Sequence, residues 1–275
     1  MNNGAVFGQY YEGDSAIHRI DPRVKIIASI LFIVVIFIAK SLAAFAFLTA
    51  ATVVTILCTG IPFGRFISGL KPILFIMAFT VVINLFWYKG DTLLVNFHFI
   101  KIYLEGLINA VLIALRIVLL IAGTSALLTY TTTPLALTDG LESLMSPLKV
   151  IKVPVHDFAM MMTIALRFIP TLTEETQKIM NAQKARGADF TSGSLVQRAR
   201  ALVPILIPLL VSAFRRAEEL ADAMECRCYT GGEGRTRMNV LRTKPSDFVF
   251  LLYIVAAGAI VVLLNIYVPV AALAL

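Results

Sequence analysis

Apolar residues fall along this chain in long, nearly uncharged runs, and then, in one stretch before the last run, in stripes that alternate with charge. A hydrocarbon core about 30 Å thick needs roughly 17 to 25 consecutive apolar residues from a spanning helix. Five runs meet that need: 24–39, 42–60, 72–88, 103–130 and 248–275. Lys40 and Ser41 alone separate the first two, and the third ends on Trp87 and Tyr88, whose amphipathic rings suit the headgroup level. The polar segment 1–22 carries Glu12, Asp14, Arg19 and Asp21 and has no apolar stretch followed by a small-residue cleavage site, so no cleaved leader is expected there.

Between Thr131 and Asp247 helical periodicity continues, with charge on the opposite faces. Pro134 opens a helix behind three threonines able to cap it, and Leu137, Leu141, Leu144, Met145 and Leu148 recur at helical spacing, while Asp139 and Glu142 take the wet side. That helix suits either the membrane surface or the flank of a neighbouring helix. A second, 155–185, is greasy from Phe158 to Leu172 and polar afterwards; Pro170 predicts a kink and Gly187 a left-handed stop. A third, from about Ser194 to Cys226, repeats the design around Pro204 and Pro208, apolar from Leu202 to Phe214 and then rich in charge. Both rods finish on an arginine, Arg186 and Arg227. The expected fold is an all-α polytopic membrane protein with five spans: segment 1–133 holds the N-terminal segment and four spans, 134–247 the cytoplasmic helices, and 248–275 the last span.

Composition supports the membrane reading. Of 275 residues 59 % are hydrophobic and 15 % charged, whereas a soluble domain is about a quarter charged. The net charge of +7 is unevenly placed. Arg19, Arg23 and Lys25 precede the first run, Arg65 and Lys71 fall between the second and third, and fifteen Lys or Arg lie between Thr131 and Asp247; only Lys40, Lys89 and Lys101 fall on the other side. This is the positive-inside pattern with a cytoplasmic N-terminus, and it calls for a lipid bilayer and no nucleic acid. Cys58, Cys226 and Cys228 are too few for a disulfide framework and are expected as free thiols.

Catalytic signatures are missing. His18, His98 and His156 lie in separate segments, no metalloprotease helix or nucleophile elbow occurs, and the glycine-rich run 231–236 lacks the Gly-Lys-Ser/Thr of a phosphate loop. No catalysis, metal or cofactor is expected of the chain. Two cations fall in apolar surroundings, Arg116 and Arg167; pairing with an acid or a carbonyl, or snorkelling, is expected for them ahead of a transport role.

Six ordered blocks carry a resemblance: Gly8-Gln9-Tyr10 with His18-Arg19-Ile20-Asp21-Pro22-Arg23, Thr133-Pro134, Ala165-Leu166-Arg167-Phe168-Ile169-Pro170, Gln183-Lys184-Ala185-Arg186-Gly187-Ala188, Ser212-Ala213-Phe214-Arg215-Arg216-Ala217, and Ala223-Met224-Glu225-Cys226-Arg227-Cys228-Tyr229. Together they resemble the transmembrane coupling subunit of energy-coupling factor transporters. The resemblance implies that the chain transmits motion from two ABC-type ATPases, which bind ATP and Mg, to a membrane S component that binds a vitamin or other micronutrient. It further implies that Ala185, Arg186 and Gly187 dock one ATPase and Cys226, Arg227 and Cys228 the other, with Arg167, Pro170, Arg215, Arg216 and Glu225 supporting the coupling helices. In the second signature cysteines flank the arginine where the family has alanine and glycine. Leu141, Leu144, Met145, Met160, Met161 and Met162 are the candidate S-component platform, though packing against the chain's own spans explains the same residues. A dedicated cobalt or nickel transporter subunit, a stand-alone secondary carrier and a membrane-bound enzyme are the rival readings.

Overall fold

A computed structural model describes residues 10–87, 93–97, 100–190, 194–231 and 241–267. Its elements in order are α1 (Pro22–Ile38), α2 (Leu42–Thr59), α3 (Phe63–Trp87), a hairpin of β1 (Leu93–Phe97) and β2 (Ile100–Tyr103), α4 (Leu104–Thr124), α5 (Pro134–Leu144), α6 (Val155–Ala185), α7 (Leu195–Glu225) and α8 (Pro245–Tyr267). Helix α4 continues as one wider π-helical turn, Ser125–Thr129, and a 3-10 turn, Ser146–Ile151, follows α5. Packing divides the chain into two compact units, 1–143 with 240–275, and 144–239.

In the first unit α1, α2, α4 and α8 pack on one another, and α3 lies against α4. Their shared core holds Ile36, Phe45, Leu48, Leu112, Leu119 and Val261. Helix starts follow local chemistry: Asp21 accepts from the Arg23 amide at 2.9 Å with Pro22 in the first turn, and Ser41 accepts from the Ala44 amide at 3.1 Å. Thr49, Thr52 and Thr55 turn their hydroxyls back onto carbonyls one turn earlier, so α2 carries them without an unmet donor in an apolar setting. Outward side chains are apolar too, Leu57, Phe75 and Leu252 among them. Such a surface fits hydrocarbon and not water.

Among the described residues five helices are long and apolar enough to cross a membrane: α2, α3 as far as Leu85, α4 with its π turn, α7 and α8. The number matches the expectation, but one identity differs. Expected first span α1 has 17 residues and so stands at the short limit, yet it is integral to the bundle, and α7 qualifies in its place through its apolar first half. The third span starts earlier than Pro72. Helix α3 already runs from Phe63 through Pro72, so Arg65 and Lys71 are helical residues on its first turns instead of loop residues. The fold is all-α apart from the short β1–β2 hairpin, whose antiparallel register pairs Asn96 with Lys101 and Phe97 with Ile100. The final residues of the expected last span, as well as Gly8, Gln9, Tyr88, His98 and most of the 231–236 run, lie outside the described residues.

Arg116 resolves as a structural cation. Its Nη2 donates to the Ala39 carbonyl at 2.9 Å, its guanidinium lies 5.4 Å from the Phe45 ring centre, and so it sits at the negative end of α1. Asn265 completes that corner, accepting from the amides of Lys40 and Ser41 and donating to the Ile38 carbonyl at 2.8 Å.

Candidate functional site

The two arginine-ended helices, α6 and α7, form the second unit with the 3-10 turn and are each 31 residues long. Both stay helical through internal prolines, Pro170 in one and Pro204 with Pro208 in the other. A Ser194 capping box starts α7: the Gln197 amide donates to Oγ of Ser194, and Oε1 of Gln197 accepts from the Ser194 amide at 3.0 Å.

Both C-termini close with the same hydrogen-bond pattern. After α6 the Gly187 amide donates to the Lys184 carbonyl and the Ala188 amide to the Gln183 carbonyl, both at 3.0 Å, with Gly187 at φ +86°. After α7 the Cys228 amide donates to the Glu225 carbonyl at 2.8 Å and the Tyr229 amide to the Met224 carbonyl at 3.1 Å, with Cys228 at φ +53°. These are paired Schellman stops. Each arginine therefore occupies the residue before a left-handed one, and each is exposed together with its flanking Ala185, Gly187, Cys226 and Cys228.

Among the described residues one ion pair joins the helices. Arg216 Nη2 lies 3.1 Å from Oε2 of Glu175, with the two side chains 38 % and 24 % exposed. The neighbouring Ser212 hydroxyl, followed by the Arg216 bond and charge, holds the Glu175 carboxyl below the usual carboxylate range. From Glu175 to Arg186 and from Arg216 to Arg227 is eleven residues in each case, about 16 Å of helix at 1.5 Å per residue. Glu175 was not singled out from sequence, because its meeting with Arg216 depends on the register of two helices and not on any local motif.

The remaining candidates are more loosely placed. Arg167 is exposed in mid-α6 and makes no ion pair with an acidic group among the described residues. Arg215 makes an exposed pair with Glu219 at 3.6 Å, the kind that contributes a few tenths of a kcal/mol at most. Glu225 ends α7 and serves through its carbonyl. Of the platform residues Leu141 belongs to the first unit, whereas Leu144, Met145, Met160, Met161 and Met162 belong to the second. Met161 and Met162 are 57 % and 40 % exposed, and Met145 and Leu144 are half-buried. Among the described residues no group of three or more His, Cys, Asp or Glu could hold a metal ion.

Comparison with known proteins adds a further finding. The profile of the family described as CbiQ, cobalt transport protein, matches residues 13–238. The energy-coupling factor transporter transmembrane protein EcfT of Ruminiclostridium cellulolyticum is 54 % identical over 88 % of this chain and 90 % of its own length. The proteins of the same name from Clostridium kluyveri and Bacillus subtilis are 53 % and 46 % identical, over 90 % and 96 % of this chain and 92 % and 100 % of theirs.

Proposed function

This chain belongs to the CbiQ/EcfT family of energy-coupling factor transporter transmembrane proteins, and from that premise we propose that it is the membrane coupling subunit of an ATP-driven uptake system for a vitamin or similar micronutrient. Two ABC-type ATPases dock on Arg186 and Arg227 from the cytoplasm, and ATP with Mg is bound and hydrolysed in those partners. A substrate-binding S component lies beside the chain in the bacterial cell membrane, and the exposed Met161 and Met162 support a platform for it, since methionine adapts to more than one partner. The Lys and Arg distribution supports a cytoplasmic N-terminus and cytoplasmic α6 and α7 ends.

The observation that carries this reading is the matched pair of helix ends. A helix stop needs no arginine, yet two helices of equal length each present one, exposed, in the same local geometry and the same distance from the bond that joins them. Arginine's planar fork fixes the orientation of a carboxylate or carbonyl partner as well as attracting it. Cobalt as cargo is a second reading, favoured by the family's description; the general energy-coupling name of the relatives supports the vitamin type.

Co-expression with candidate ABC ATPases tests the proposal. Wild type is expected to retain both ATPases, Arg186→Ala and Arg227→Ala each to weaken retention about 30-fold, as for an interface anchor worth about 2 kcal/mol, and the double variant to lose them. Unchanged retention and transport in the double variant reduce both arginines to helix-end cations. Uptake by the chain alone, without ATPases, identifies a stand-alone carrier.

A further inference from the structure

The second unit is an insertion: the chain leaves the first unit after residue 143 and re-enters it at 240. The stretch Thr131–Thr133 leads into α5, the helix at whose end the chain leaves the first unit, and the returning leg, residues 241–247, leads into α8. Lys25 holds the first and Asp247 holds the second, both at the start of α1. Lys25, in the first turn of α1, is 1 % exposed, and its Nζ donates to the Thr131 carbonyl at 2.8 Å, to Thr132 Oγ1 at 3.2 Å and to the His18 carbonyl at 3.3 Å. Three ammonium protons thus meet three acceptors.

Asp247, also 1 % exposed, anchors the returning leg. Its Oδ1 accepts from the Asp21 amide at 3.2 Å and its Oδ2 from the Lys244 amide at 2.6 Å. Asp21 in turn caps α1 through Oδ1, and its Oδ2 is buried without a hydrogen-bond partner among the described residues. Against the same end of α1 lies α5, where a side chain at Gly140 would press on Pro22 and Ile26.

Stability alone does not explain this arrangement. A lysine one turn from a membrane boundary ordinarily snorkels to water, but this one is enclosed. Burying charge costs several kcal/mol per ion, and apolar residues of similar volume hold helices together at least as well. What buried, multiply bonded charges add is a fixed register. We infer that Lys25 and Asp247 are positioning residues that together tie the stretches before α5 and α8, which flank the inserted unit, to one point on α1, so that motion of that unit enters the membrane helices there. This inference rests on the coupling function proposed above.

Two measurements separate the clamp from that function. In the isolated chain in detergent, Lys25→Met is expected to speed hydrogen exchange of the Asp21 and Lys244 amides at least tenfold; unchanged exchange overturns the clamp whether or not ATPases bind. In the ATPase-bound complex, MgATP with vanadate is expected to alter exchange in α1, α4 and α8 of wild type. With Lys25→Met the ATPases stay bound and hydrolyse ATP at the wild-type rate, but the change stops within 144–239. An equal change in wild type and variant, or none in wild type helices, overturns the positioning role. Lys25→Arg, which keeps the charge but not the three-acceptor geometry, and Asp247→Asn give the same readouts should Lys25→Met fail to fold. Loss of ATPase binding by the wild-type chain overturns the coupling function and leaves the isolated-chain measurement to decide the clamp.

Discussion

Cys228 adopts a backbone conformation that glycine adopts freely and other residues adopt at a cost of about 1 to 2 kcal/mol. Its counterpart after α6 is Gly187 at φ +86°, with nothing within 4 Å of where a side chain would begin. The two positions therefore respond in opposite directions. Cys228→Gly is expected to raise stability by about 1 kcal/mol and Gly187→Ala to lower it by about as much, both read from thermal unfolding in detergent. The exchange of glycine for cysteine is visible in the sequence, but the left-handed backbone it must adopt shows only in the folded helix end. Lys25 was legible only as a boundary charge, because Thr131 and Thr132, the groups that bury it, lie 106 and 107 residues away.

Helices α6 and α7 announce themselves through periodicity, caps and terminal arginines, so their existence and bounds could be read almost to the residue. Their pairing could not, since a helix pattern says which face is apolar and not which side chain on a neighbour it meets. The Glu175 carboxylate shows what that contact does. Because its folded pKa is lowered, its contribution to α6–α7 pairing is present above the usual carboxylate range and is lost as pH falls through the lowered value. Spin-label distances between the two helices are expected to hold at neutral pH and broaden in acid, and Glu175→Gln to be broad throughout. The β1–β2 hairpin escaped notice for a different reason: it is short, lies between two spans, and depends on backbone pairing that apolar runs conceal. The start of α3 was misplaced because Pro72 reads as a helix opening, although a membrane helix tolerates proline inside it.

The membrane unit as a whole was legible as a bundle of apolar helices, but its closeness of packing was not. At Gly123 a β-carbon would overlap the Cε1 and Cζ carbons of Phe32, so α1 and α4 meet there only because that residue is glycine. Gly123→Val is expected to destabilise the bundle by about 1 to 3 kcal/mol through overpacking, and Phe32→Ala to recover part of the loss in the double variant, as measured by unfolding in detergent. The equal eleven-residue arms from Glu175 and Arg216 to the terminal arginines carry a consequence at the same scale. Each residue turns a helix by about 100°, so an arm sets the azimuth of its arginine as well as its distance. Equal arms give both arginines a common phase about their axes relative to the crossing bond. Inserting two alanines after Lys178 would swing Arg186 to the far side of α6, whereas inserting four would return it to within about 40° of its original heading and advance it about 6 Å. If orientation governs docking, the longer insertion is the milder one, and retention of one ATPase in pull-down will fall with two added residues and largely return with four.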